Sequence, residues 1–122
     1  MHQKIIWKPL TQGLFIGQLL LSSSMIQAST QWCTGSIADV WVHRDGSVYI
    51  HGTWRNMHTK ICSLATTWKG VSPNTCKSWQ ALTQQAHATQ KSVTIQYSNL
   101  SACKKLPTYS KAPSPNYVML RK

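Results

Sequence analysis

Ile37-Ala38-Asp39-Val40-Trp41-Val42-His43-Arg44-Asp45-Gly46-Ser47-Val48-Tyr49-Ile50-His51-Gly52-Thr53-Trp54 is the stretch that decides the fold. Its two flanks, Ile37–His43 and Val48–Trp54, are rich in β-branched and aromatic residues. Between them Asp45-Gly46 supplies the positive φ that a tight hairpin turn demands. The reading is a β-hairpin. With a two-residue turn, His43 pairs opposite Val48 and His51 opposite Val40. That points the two imidazoles to opposite faces and keeps them from sharing a metal; a longer turn changes the register.

Outward from the hairpin, Arg55–His58 reads as a turn and Thr59–Thr67 as a third strand. Trp68–Thr75 holds Gly70, Ser72-Pro73 and Asn74 and is a loop, with Asn74 or Thr75 placed to cap a following helix. Cys76, Trp79, Leu82 and Ala86 form one helical stripe within Cys76–Thr89. Val93, Ile95 and Tyr97 alternate with polar residues as a half-buried strand. Pro107, Pro113 and Pro115 make the next stretch irregular, and Asn116–Leu120 is a final short strand. The class is mainly β with one helix. Strand, strand, strand, helix, strand, strand is the plan of the OB-fold, a five-stranded partly open barrel; a small α+β sheet and a sandwich are the alternatives.

The first 28 residues have the three parts of a secretory signal peptide. Lys4 and Lys8 precede the short apolar run Leu14–Leu21, and Ser22–Ala28 is a stretch of mostly small residues with a cleavage point after Ala28. The run is too short to span a bilayer. The expectation is a secreted or periplasmic protein consisting of one OB-fold-like domain over 29–122. Four cysteines, Cys33, Cys62, Cys76 and Cys103, fall in that region. An even count in a small exported domain reads as two disulfides, with three connectivities open.

The chain carries 13 Lys or Arg against two acids, Asp39 and Asp45, and no glutamate. Such a balance favours polyanionic surroundings: nucleic acid, anionic headgroups, lipopolysaccharide or sialylated glycans. It also argues against an enzyme. Glycoside hydrolysis needs two carboxylates and most acid–base sites need an oriented one, while Asp45 is committed to the turn. No G-x-S-x-G, H-E-x-x-H, phosphate loop or Cys–His signature occurs. No metal or cofactor is expected, since His58 and His87 have no ligand-like neighbour in sequence.

Cys62-Ser63-Leu64, Trp68, the helix Ser78-Trp79-Gln80-Ala81-Leu82-Thr83-Gln84-Gln85-Ala86 and the strand Ser92-Val93-Thr94-Ile95-Gln96-Tyr97 together resemble the central part of bacterial toxin B subunits. These are the cell-binding subunits of subtilase cytotoxin, typhoid toxin and heat-labile enterotoxin type, in which a helix runs into a Val-x-Ile-x-Tyr strand. The enterotoxin type ties a cysteine before the first strand to one just after that strand, and Cys33 and Cys103 occupy the matching places. The resemblance therefore implies Cys33–Cys103, and Cys62–Cys76 is expected beside it, pinning the third strand to the helix start. It further implies a host or surface glycan as ligand, a homo-pentamer and a companion A subunit. The alternative is a basic polyanion binder acting on nucleic acid or lipopolysaccharide.

Trp32, Trp41, Trp54, Trp68 and Trp79 are an unusual aromatic load for a region this size. Aromatic faces stack on sugar rings and bases, with cations nearby for anionic groups. Trp79 and one of the hairpin pair are expected in the core. Trp54, Arg55 and Asn56, with Trp68 and Lys69, sit at strand ends beside cations and are the ligand-binding candidates.

Overall fold

The computed structural model describes residues 29–122; the segment read as a signal peptide, residues 1–28, lies outside them. Six strands and one helix follow in the order β1 (Ser29–Gly35), β2 (Ile37–Val42), β3 (Ser47–Gly52), β4 (Met57–Ser63), α1 (Pro73–Thr89), β5 (Val93–Leu100) and β6 (Tyr117–Leu120). A short 3-10 turn at Cys103–Lys105 follows β5. The fold is mainly β with one helix, as expected, but the five-stranded barrel does not form. Two separate three-stranded antiparallel sheets are present, β2-β3-β4 and β1-β5-β6.

The strand absent from the sequence reading is the reason. Ser29–Gly35 is mostly polar, because only Cys33 on it is fully buried. It pairs with one edge of β5 while β6 takes the other. The Val93-x-Ile95-x-Tyr97 strand is thus the centre of its own sheet instead of the continuation of the meander. The chain crosses from one sheet to the other at Gly35-Ser36, where a Cβ on Gly35 would collide with the Thr53 hydroxyl.

The hairpin closes with a three-residue turn, not two. His43 N–H donates to the Ser47 carbonyl (2.8 Å), Gly46 N–H donates to the His43 carbonyl (2.8 Å), and Gly46 takes φ +92°. This is the three-residue loop whose last position needs the left-handed region. Asp45 Oδ1 accepts from the Ser47 backbone N–H at 2.8 Å. That bond, with the Ser47 hydroxyl and His43, holds the Asp45 carboxyl at about 2. The resulting register sets Val42 opposite Val48, Trp41 opposite Tyr49 and Asp39 opposite His51. His51 therefore faces Asp39, where the shorter turn would have set it opposite Val40.

Helix α1 starts earlier than the sequence indicated. Ser72 is its cap, accepting from Thr75 N–H, and Pro73 opens the first turn. Cys76, Trp79, Thr83 and Ala86 are its buried residues, with Leu82 partly buried. The Thr83 hydroxyl returns its hydrogen bond to the Trp79 carbonyl at 3.0 Å, so a buried polar group costs little there. The helix packs on β2, β3, β4 and β6. Val48, Ile50 and Ile61 of one sheet, Val93, Ile95 and Tyr97 of the other and Leu106 join its stripe in one buried cluster. No helix among the described residues is long and apolar enough to cross a membrane.

Both disulfides form as expected. Cys33–Cys103 (Cα–Cα 5.6 Å) ties β1 to the 3-10 turn, and Cys62–Cys76 (Cα–Cα 5.4 Å) ties the end of β4 to the first turns of α1.

Tyr97 is fully buried, and its hydroxyl completes no hydrogen bond of good geometry. Burial pushes the phenol above its ordinary value of about 10, and the Thr59 hydroxyl offsets this only in part. The unfolded chain releases this proton near the ordinary value while the folded chain keeps it. Above that pH the folded state holds more protons, so stability falls as pH rises. Urea denaturation of the parent and Tyr97→Phe between about pH 9.5 and 11.5 should show the parent losing more stability than the variant.

Candidate ligand-binding face on the meander sheet

Alternation along β2, β3 and β4 sends Val48, Ile50 and Ile61 inward and a second set of side chains to the opposite face. The register arranges that set in two rows across the sheet. One row is Asp39–His51–His58, with Asp39 opposite His51 and His51 opposite His58. The other is Trp41–Tyr49–Lys60. Directly opposed residues on antiparallel strands are the closest neighbours a sheet provides.

The rows are tied together. The Trp41 and Tyr49 rings stack at 4.2 Å between centroids, 12° from parallel. Trp41 Nε1–H donates to His58 Nδ1 at 3.0 Å, and the His51 and His58 rings meet edge to face at 4.9 Å. Asp39 Oδ2 accepts from His51 Nδ1 at 3.1 Å, and the Asn56 amide oxygen lies 3.0 Å from His51 Nε2. A fifth ring arrives from the Pro-rich connector. Tyr109 lies alongside β4, donating its N–H to the His58 carbonyl (2.8 Å) and accepting from Lys60 N–H (3.1 Å). Its ring centroid is 6.1 Å from both Tyr49 and His58, and it is 44% exposed, which leaves it open to a ligand.

Of the five sequence candidates, three reach this face or its border. Asn56, at φ +59°, holds His51. Trp68 has the Nζ of both Lys60 and Lys69 at 4.8 Å from its ring centroid, so Trp68 and Lys69 continue the face past Lys60. Lys69 also donates to the Ala112 carbonyl at 2.7 Å. Trp54 and Arg55 are engaged elsewhere. The Trp54 indole lies across Gly52, where a Cβ would collide with it, and is the member of the hairpin pair that packs, partly buried, against the core. Arg55 Nε donates to the Leu106 carbonyl at 2.7 Å and anchors the connector.

The residues missed by the sequence reading are Asp39, Trp41, Tyr49, His51, His58 and Tyr109. Asp39-x-Trp41 and Tyr49-x-His51 carry a period-two signal, but only the three-residue turn brings them opposite one another. Nothing local marks Tyr109.

The Asp39–His51 pair is an oriented acid–imidazole dyad. The ring nitrogen remote from Asp39 faces the Asn56 amide, in the place that a serine or cysteine nucleophile takes in a triad. What the face offers is a flat aromatic surface bordered by hydrogen-bonding groups. No protein-family model, curated protein or solved structure matches this chain.

Because Trp54 fills the space over Gly52, Trp54→Ala should destabilise the protein by about 2–3 kcal/mol in urea denaturation, part of the cost of a fully buried Trp→Ala change. A variant as stable as the parent would place the ring in solvent.

Proposed function

We propose that this protein is an exported carbohydrate-binding module of toxin B-subunit type, which seats a sugar ring on the outer face of β2-β3-β4. The observation that carries this reading is the Trp41–Tyr49 stack with Tyr109 beside it and Asp39, Asn56 and Lys60 around it. A sugar has one apolar face and a rim of hydroxyls. It needs a flat aromatic partner and several fixed polar groups. Two disulfides suit an oxidising compartment. The helix ahead of the Val93-x-Ile95-x-Tyr97 strand and the Cys33–Cys103 bond support the B-subunit likeness.

The same reading expects a homo-oligomer, a pentamer by resemblance, and a companion A subunit. Strands β1, β2 and β6 are sheet edges, and pairing with another copy is one way to cover such edges.

A second reading has its own support. A cleft of about 450 Å³ is lined by Lys69, Lys105 and Lys111 with Asn99 and Ser101, and no carboxylate lines it. That composition suits a phosphate- or sulfate-bearing polyanion. Salt separates the two readings. Nucleic-acid binding should weaken by orders of magnitude between roughly 50 and 200 mM salt, while neutral-glycan binding barely changes.

Trp41→Ala and Tyr109→Ala should each lower glycan-array binding at least tenfold while far-UV circular dichroism stays that of the parent. Retained binding by two folded variants would remove this face from consideration.

A further inference from the structure

We propose that Asp39, His51 and His58 form a binding site for a divalent transition ion of the zinc type. The site stands on its own geometry and does not depend on the sugar reading.

The three residues are consecutive cross-strand partners on three neighbouring strands. One donor atom from each lies within 4.8 Å of the other two. Tetrahedral zinc, with bonds of about 2.0–2.2 Å to nitrogen and oxygen, spaces its donors at roughly 3.3–3.5 Å. His51 Nδ1 and Asp39 Oδ2 already stand 3.1 Å apart. The His58 nitrogen then has to close only a small gap by rotation of its ring.

The donor chemistry selects the ion. Two imidazoles and one carboxylate suit zinc and its first-row neighbours. Calcium and magnesium prefer sites made wholly of oxygen. Asp39 is exposed and both histidines are half-buried, so an ion can enter while the rings stay oriented. Three protein ligands leave a fourth position open towards solvent, the arrangement of a zinc site that also takes an exogenous ligand.

Two interactions compete. Coordination through His51 Nδ1 replaces its hydrogen bond to Asp39 and moves the proton to Nε2, where the Asn56 amide oxygen accepts it. The second lies at His58. His58 Nδ1 accepts from Trp41 Nε1–H, which fixes the His58 proton on Nε2. Coordination through Nδ1 displaces the indole directly. Coordination through Nε2 moves the proton to Nδ1, where it opposes the indole N–H. Either way metal binding and the Trp41–His58 hydrogen bond exclude each other. Binding therefore releases Trp41 from His58, and the tryptophan reports it.

The test is titration of the full-length, disulfide-bonded chain with zinc chloride by calorimetry, paired with the cobalt(II) absorption spectrum. The expected result is one saturable site per chain, a tetrahedral cobalt band without thiolate charge transfer, and a change in tryptophan fluorescence at the same equivalence point. His51→Ala and His58→Ala should each weaken binding at least tenfold, and Asp39→Asn by a similar factor. His87→Ala, whose ring bonds the Ile37 carbonyl away from this row, should bind like the parent. Trp41→Phe removes the competing donor and should bind about fivefold tighter. Absence of saturable binding by the parent overturns the proposal. So does binding that folded His51→Ala and His58→Ala variants retain, or a Trp41→Phe variant that binds no metal.

Discussion

The outer face depends on the register of β2 against β3, and that register is set by one turn. Gly46 takes a positive φ and Asp45 receives the Ser47 N–H, which closes a three-residue loop between His43 and Ser47. Side chains on a strand alternate with a period of two. Moving the pairing by one residue would therefore carry Val48 and Ile50 towards water and Tyr49 and His51 towards the core. The core enforces the same choice from the other side, since Val48 and Ile50 are wholly buried. Turn chemistry and hydrophobic burial agree, and the two cross-strand rows follow from that agreement.

The two sheets need another kind of support, because no named strand of one pairs with a strand of the other. Their contact is made by side chains, with α1 and Leu106 filling the shared interior. A chain of this size buries a modest core, and covalent ties compensate. The disulfides act where they are needed. Cys62–Cys76 fixes the helix to the meander sheet, and Cys33–Cys103 closes a separation of 70 residues around the second sheet. In the chain-entropy account a loop that long contributes about 4 kcal/mol by restricting the unfolded state.

Strong local signals were legible in the sequence and long-range ones were not. The hairpin, the helix stripe at Cys76, Trp79 and Ala86, and the Val93-x-Ile95-x-Tyr97 strand each carry their own periodicity and are all present. Strand β1 was illegible because it is an edge strand with one fully buried residue, so its sequence has no apolar alternation to show. For the same reason the barrel was expected where two sheets form. Trp54 looked like a surface residue because it sits at a strand end beside Arg55, two positions after Gly52. That glycine is the space its ring occupies, a contact between residues two apart that composition does not reveal. Tyr109 joins the face through backbone bonds to His58 and Lys60 across some fifty positions, and no spacing rule anticipates that.

The outer face is notable for how little freedom its side chains keep. Trp41 is held by a stack on one neighbour and a hydrogen bond to another. His51 is held at both nitrogens, and Tyr109 is fixed through its backbone on either side. Ordering a free aromatic or imidazole side chain on binding costs about 0.5–1.5 kcal/mol. Here much of that ordering is already done in the folded chain, so contact with a ligand is not offset by it. The same feature explains where the scarce acids went. Of two carboxylates in the whole sequence, one fixes the turn that sets the register and the other fixes a histidine in the row that the register creates. In a chain this basic, neither carboxylate has been placed in an ion pair with lysine or arginine among the described residues. The positive charge is left unneutralised at the surface, and the negative charge is spent on geometry.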